Sequence, residues 1–283
     1  MYISNHPRLA GFVSPDQKAA CQMFMEATEE GRKRLKQLKS RLFVAAVPFM
    51  ENMFSPGLML HYPVRKRFIE EACITALEAG YTQVVNIGAG FDTLLWRLHS
   101  RFQDVSFVEI DHPASSEVKQ QVVEKKGANL SLLAVDLSKT RLEDALPDHP
   151  GFDSSRKTFY ICEGVLMYLE PDAVRGVFES LSRISEAGVR FAFTAVSPMS
   201  SPTNNTRLLL RLYLKIKNEP LAWSLESADL EAFVKPLGYR VLDTGDDERL
   251  IPQYAPDCSP RSIHKGEFIA VTEADAALKA AHG

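Results

Sequence analysis

Val84-Val85-Asn86-Ile87-Gly88-Ala89-Gly90-Phe91-Asp92-Thr93 decides the fold. An apolar run ends in two glycines, an acid and a threonine follow, and Leu94-Leu95-Trp96-Arg97-Leu98 then reads as a helix start. The pattern is that of a buried strand, a tight turn and a helix, which brings backbone close to a ligand at the carboxyl end of a sheet strand. A second apolar run, Phe107-Val108-Glu109-Ile110-Asp111, places its acids about twenty residues past the glycines, where a nucleotide ribose is usually held. Together the two runs point to an adenosine-containing cofactor.

The details of the turn separate the candidate cofactors. Dinucleotide folds want a third glycine, in the spacing G-x-G-x-x-G. Here that position is Thr93, and Asp92 puts a carboxylate at the mouth of the turn. A carboxylate beside a pyrophosphate is repelled, whereas it suits a cofactor bearing a cationic amino or sulfonium group. This favours S-adenosyl-L-methionine over NAD. A reductase is disfavoured further because Tyr168 is followed four residues later by Asp172, with no Tyr-x-x-x-Lys.

Working outward, strands and helices alternate. Strands are expected at Gln83–Ile87, Val105–Ile110, Leu130–Val135, Thr158–Cys162, Arg190–Ala195, Arg240–Asp243 and Glu267–Thr272. Helices are expected at Asp92–His99, Pro113–Lys126, Pro171–Ile184 and Ser227–Val234. Alternation with continuously apolar strands predicts an α/β fold, a mostly parallel sheet covered by helices on both faces. The last two strands are expected to pair antiparallel at one edge. Upstream, one helix is expected from Asp16 to about Leu42. Pro48, Pro56 and Gly57 should break the pattern, and a second helix should run from Pro63 to Ala79. Residues 197–225 read as an insertion with a polar start and a helical stretch from Leu208 to Ile216.

Two later strands also end in acids. Ala134-Val135-Asp136-Leu137 places an acid where an adenine amino group can be read, and Tyr160-Ile161-Cys162-Glu163-Gly164 places Glu163. Ligands of open parallel sheets bind at this rim. Any one of these acids could simply cap the helix that follows it. Four such acids in order make the rim reading the better one.

Composition narrows the class. The 283 residues suffice for a sizeable core, and a net charge of −3 gives no support for nucleic-acid or anionic-membrane binding. The basic cluster Arg32-Lys33-Arg34 with Lys36, Lys39 and Arg41 is interleaved with leucines at helical spacing and reads as a solvated helix face. The four cysteines show no metal-ligand or CxxC spacing, so no metal site is expected. Reduced thiols, a first segment unlike a signal peptide and no membrane-length apolar run give a cytoplasmic expectation.

Several segments, in order, resemble the leucine carboxyl methyltransferase family, which includes bacterial polyketide-type O-methyltransferases. They are Val64-Arg65-Lys66-Arg67-Phe68-Ile69-Glu70, Gln83 to Thr93, Trp96-Arg97-Leu98, Glu109-Ile110-Asp111-His112-Pro113, Asp136-Leu137 and Glu163-Gly164-Val165-Leu166-Met167-Tyr168-Leu169. The resemblance covers roughly residues 55 to 245. It implies a Rossmann-like class I methyltransferase fold with a seven-stranded sheet. It also implies a helical lid, formed by residues 1–60 and by the insertion at 197–225 over the cofactor domain of residues 61–283. By position it implies that Arg65 pairs with the methionine carboxylate of S-adenosyl-L-methionine, with neighbouring Arg67 as the alternative. Gly88, Ala89, Gly90 and Asp92 would lie under the methionine part, Asp111 with Glu109 at the ribose, Asp136 and Leu137 at the adenine, and Glu163 near the amino group and the transferred methyl. Many bacterial members carry an arginine after the Asp-Thr pair, where this chain has Leu94, a departure that bears on the substrate more than on the cofactor.

The expected reaction is methyl transfer to a carboxyl or phenolic oxygen of a small molecule. A carboxylate acceptor needs no base; a phenol benefits from one. Tyr168 is the candidate catalytic residue facing the acceptor. His61, His99 and His112 are weaker candidates for a base, and Arg207 and Arg211 are candidate holders of an anionic acceptor. The alternatives are a methyltransferase for a protein C-terminal carboxylate and a cofactor-binding protein with a degenerate site.

Overall fold

In the computed structural model, which describes residues 2–5, 9–123, 127–216, 221–259 and 262–274, seven strands form one sheet. They are β1 (Gln83–Ile87), β2 (Ser106–Asp111), β3 (Leu130–Ala134), β4 (Thr158–Cys162), β5 (Val189–Val196), β6 (Tyr239–Gly245) and β7 (Glu267–Ala274). Their order is β3-β2-β1-β4-β5-β7-β6. The first five strands pair in parallel, and β7 runs antiparallel to both β5 and β6. The expected antiparallel pair therefore forms at one edge, with β7 between β5 and β6, so that of the two β6 is the edge strand. Burial explains the order. Glu267 to Thr272 are all buried, as an inner strand requires, whereas β6 exposes Arg240 and Leu242 and keeps only its ends buried.

The sheet carries two apolar layers. On one face Val84, Phe107, Ile161 and Ile269 pack with Phe68, Ile69 and Cys73 of the long helix Leu58–Glu78. On the other, Val85, Val108, Tyr160 and Phe191 pack with Phe178 and Leu181 of helix Pro171–Ile184. Phe178 is the hub of the second layer, with ring centroids 5.0 to 5.2 Å from Phe191, Phe193 and Tyr239. Burial of each such ring stabilises the fold by roughly 1.5–3 kcal/mol, and each edge-on pair adds about 0.5–1.5 kcal/mol. This fixes the sheet as the rigid frame of the molecule.

The N-terminal region departs from expectation. The single helix expected from Asp16 to Leu42 is divided into Pro15–Ala27, Glu29–Gln37 and the start of Arg41–Phe54. The breaks fall at Thr28 and Ser40, whose hydroxyls accept hydrogen bonds from Gly31 N at 3.0 Å and Phe43 N at 3.4 Å. Helical apolar spacing ran through both positions and hid these N-caps. Pro48 does not break the chain but lies exposed inside Arg41–Phe54. Pro63 lies inside Leu58–Glu78, because Leu60 and Val64, four residues apart on one face, both reach the core and extend the helix through the proline.

Helix Pro113–Val122 is shorter than expected, and residues 124–126 of that expectation lie outside the described residues. Helix Leu208–Ile216 falls where the insertion predicted it, against helix Arg41–Phe54, with Phe54 and Tyr213 edge-on at 6.2 Å. All four cysteines are free, and no single described helix is long and apolar enough to cross a membrane.

Candidate active site

The sheet reverses direction of winding between β1 and β4, so their carboxyl ends border a crevice. The turn after β1 lines it. Gly88 and Gly90 have φ of 68° and 48°, the left-handed region that costs other residues about 1–2 kcal/mol. The N–H groups of Gly88 and Ala89 donate to the Ile110 carbonyl at 2.8 and 3.1 Å, which ties the turn to β2. A Cβ on Gly88 would fall 2.4 Å from Val165 Cγ2, so the glycine lets the loop after β4 pack on the turn. At Gly90 the nearest atom to such a Cβ is Asp111 Oδ2 at 3.9 Å, and that side of the turn is open. Ala89 is buried.

Asp111 ends β2 and fixes this geometry. One carboxylate oxygen accepts from Gly90 N–H and the other from His112 N–H. Asp136 stands next to it beyond β3, since Val135 N–H donates to the Asp111 carbonyl at 2.9 Å and His112 Nε2 is 3.8 Å from Asp136 Oδ2. Hydrogen bonds from Ser138, then from Lys139, hold the half-buried Asp136 carboxyl well below the usual carboxylate range. Leu137, the next residue, is half-buried and packs against the second apolar layer.

Glu109 does not reach the rim with Asp111. It sits one strand repeat deeper, 2% exposed, with Oε2 2.6 Å from Lys119 Nζ. Residues two apart share a strand face, and Lys119 reaches in from helix Pro113–Val122, donating also to the Asp92 carbonyl at 2.7 Å. Burial pushes the Glu109 carboxyl up to about 7 against the pull of Lys119. The pair braces the underside of the turn.

A line of alternating charges crosses the crevice. Lys66 Nζ lies 2.9 Å from Asp92 Oδ2 and 2.8 Å from Glu163 Oε2. Glu163 follows the last residue of β4, and its Oε1 is 2.6 Å from Arg65 Nη2. Arg65 Nη1 is 2.5 Å from Glu267 Oε2 at the start of β7, which also meets His61 Nε2 at 2.9 Å. Both cations come from consecutive positions of helix Leu58–Glu78. Burial would raise the Asp92 carboxyl, but Lys66 outweighs it and holds the group at about 2. Burial likewise opposes ionisation of Glu267, and Arg65 overcomes it, so the carboxyl lies far below its ordinary range. Arg65 Nε and Glu163 Oε1 are buried without an aligned hydrogen-bond partner among the described residues. Arg67, the alternative to Arg65, points away and pairs with Glu71 at 3.3 Å on the surface.

Beside this line is a cavity of about 230 Å³, walled by side chains that include Leu58, Met167, Tyr168, Met199, Leu214 and His264. Tyr168 lines it and is 42% exposed. Of the three histidines weighed from sequence, only His61 joins the line of charges. His99 Nδ1 lies 2.7 Å from the Trp96 carbonyl, and His112 N-caps helix Pro113–Val122. The Arg207 backbone N–H donates to the Phe54 carbonyl at 3.0 Å, and the Arg211 side chain lies outside the described residues. Sequence reading missed Lys66, Glu267, His264 and Ser55. Lys66 sits inside the Arg65 motif and was within reach; Glu267 and His264 carry no local signal and come to the site only through the placement of β7. Among the described residues no group of His, Cys, Asp or Glu is arranged to hold a metal ion.

A doubly wound sheet with a glycine turn and acids along its rim defines a Rossmann-like α/β protein. Residues 16–182 match the family model for leucine carboxyl methyltransferase, and the chain belongs to that family. Among curated relatives, a protein of Mycobacterium avium is 30% identical over 202 residues, 69% of this chain and 64% of its own length. One of Mycolicibacterium vanbaalenii is 34% identical over 131 residues, 46% of this chain and 43% of its own. Both are provisionally named S-adenosyl-L-methionine-dependent methyltransferases, and the chain spans from under half to about two thirds of their length. The crystal structure of a provisionally named methyltransferase from Thermobifida fusca shares the fold, with a TM-score of 0.62 and 17% identity over 90% of this chain and 94% of that one.

Proposed function

We propose that this chain is an S-adenosyl-L-methionine-dependent methyltransferase that transfers the methyl group to an oxygen of a small molecule. The observation that carries the reading is the line Asp92, Lys66, Glu163, Arg65 placed between the glycine turn and the cavity. The names of the curated relatives support it.

The residues present fit such a cofactor. Asp92 and Glu163 already hold an ammonium, that of Lys66, and Arg65 already holds carboxylates. The same groups suit the amino and carboxylate ends of a methionine moiety. The open side of Gly90 leaves room beside the turn, and Arg65 Nε, buried without a hydrogen-bond partner among the described residues, has a donor to spare. In this reading Gly88, Ala89 and Gly90 form the floor, Asp111 takes the ribose, Asp136 and Leu137 flank the adenine, and Glu109 supports the turn from below. The bound cofactor supplies a methyl group already activated on a sulfonium. What remains for the chain is to align the acceptor oxygen and keep out water, and alignment of this kind can supply on the order of 7–11 kcal/mol. Residues 1–60 and 197–225 act as the lid, since Ser55 and Leu58 meet Met199, Thr206, Leu210 and Leu214 around the cavity. Tyr168, on the cavity wall, faces the acceptor.

Calorimetric titration with S-adenosylhomocysteine tests this reading. Binding in the micromolar range is expected; no heat at high micromolar ligand would overturn it.

A further inference from the structure

The cavity also carries a statement about the acceptor, one that rests on the methyltransferase reading. Its walls are largely apolar: Leu58, Met167, Val196, Met199, Leu210 and Leu214. The two charged side chains that line it, Arg65 and Glu267, are committed to each other at 2.5 Å, and Arg65 also to Glu163 at 2.6 Å. A carboxylate acceptor entering this space meets, among the described lining residues, no cation but Arg65, which is paired with two carboxylates and which the proposed function gives to the cofactor's own carboxylate. Desolvating the acceptor there is costly.

The polar end of the cavity is built around His264. Its ring is 6% exposed, and Nδ1 lies 3.0 Å from Ser55 Oγ. It stands edge-on to His61, with ring centroids 5.8 Å apart and planes at 88°. A Cβ at residue 266 would fall 2.6 Å from His264 Nε2 and 2.7 Å from Asn204 Oδ1, so Gly266 makes the space for the ring edge. The charged and titratable groups acting on the imidazole are His61, Glu267 and Arg65, and Tyr62 and Tyr168 line the same cavity. Burial first, then His61, lowers its pKa to about 4, so the ring is neutral in the neutral range and can accept a proton.

We propose that the cavity receives a neutral acceptor with an apolar body and a hydroxyl of the phenol class, and that His264, oriented by Ser55, takes the hydroxyl proton. The acceptor oxygen forms a bond to the methyl carbon as the carbon–sulfur bond of the cofactor breaks. The sulfonium becomes a neutral thioether and the imidazole becomes an imidazolium. The positive charge moves from sulfur to ring, so the total charge of the enclosed site is unchanged. That offsets the penalty that otherwise keeps the buried ring unprotonated.

The test uses the protein saturated with S-adenosylhomocysteine and calorimetric titration of naphthols against naphthoic acids of the same skeleton. The naphthols are expected to bind at least tenfold more tightly than the acids. With S-adenosyl-L-methionine in place, His264→Gln should lower naphthol methylation on the order of 100-fold or more, as loss of a general base does. Its affinity for S-adenosylhomocysteine should match the parent's, which shows that the variant folds. Ser55→Ala should shift the pH profile of the parent, and a merely structural Ser55 would not. Acids binding as tightly as naphthols, neither class binding while S-adenosylhomocysteine does, or full activity in His264→Gln would each overturn the proposal. Failure of S-adenosylhomocysteine itself to bind would overturn the methyltransferase reading, and this proposal with it.

Discussion

Lys66 Nζ stands 2.8 Å from Glu163 Oε2, closing a cation between two carboxylates at the mouth of the glycine turn. The lysine occupies the position the proposed function gives to the cofactor's ammonium, so the chain carries its own counter-ion there. Lys66→Met leaves Asp92 and Glu163 facing each other with one cation fewer. Stability should fall by on the order of 1–3 kcal/mol, the range for buried polar groups left without partners. Addition of S-adenosylhomocysteine should then raise the Tm of the variant by more than it raises that of the parent. Thermal unfolding with and without ligand measures both, and an equal rise in the two proteins would show that lysine and ligand do not share the carboxylates.

The two glycines of the turn should separate stability from binding. Gly88→Ala drives a methyl into Val165 at φ 68°, whereas Gly90→Ala meets open space at φ 48°. Both carry the left-handed penalty of about 1–2 kcal/mol. Gly88→Ala should be the less stable in urea unfolding, and Gly90→Ala should lose more affinity for S-adenosylhomocysteine. The reverse ranking would misplace the open side of the turn.

Two buried acids should shape the pH dependence of stability with opposite sign. The Asp92 carboxyl is lowered from 3.8 to about 2, so its stabilisation is complete above 3.8 and lost as pH falls through about 2. The Glu109 carboxyl is raised from 4.5 to about 7, so the native state holds its proton longer than the unfolded chain and stability falls as pH rises from 4.5 to 7. Glu109→Gln should flatten unfolding free energy against pH across the second window, and Asp92→Asn should flatten it across the first. Denaturant titrations at stepped pH measure the slopes, and unchanged slopes would contradict the assigned environments.

How much of this was legible in the residues depends on how local the signal is. Val84 to Thr93 specified strand, turn and helix because apolar run, glycine pair and helix former follow within ten positions. The seven strands were legible for the same reason. The place of β7 inside the sheet was not, since nothing near Glu267 says which neighbours it pairs with. That one long-range event brings Glu267 and His264 to the site, from about two hundred positions beyond Arg65. Glu109 failed differently. Its strand face was readable, but the lysine that holds it belongs to another helix. At the N-terminus, Thr28 and Ser40 act through hydroxyl caps that a hydrophobic period conceals.

The central claim is a cofactor site at the rim of β1, β2 and β4, and Asp111 is the residue that joins turn and strand there. Calorimetric titration of S-adenosylhomocysteine into the parent protein, Asp111→Ala and Asp172→Ala tests it most directly. Asp172 is an exposed residue in the first turn of helix Pro171–Ile184 and has no part in the proposed cofactor contacts. The account predicts micromolar binding to the parent and to Asp172→Ala, and a loss of tenfold or more in Asp111→Ala. Equal affinities in the two variants, or no binding to the parent, would contradict it.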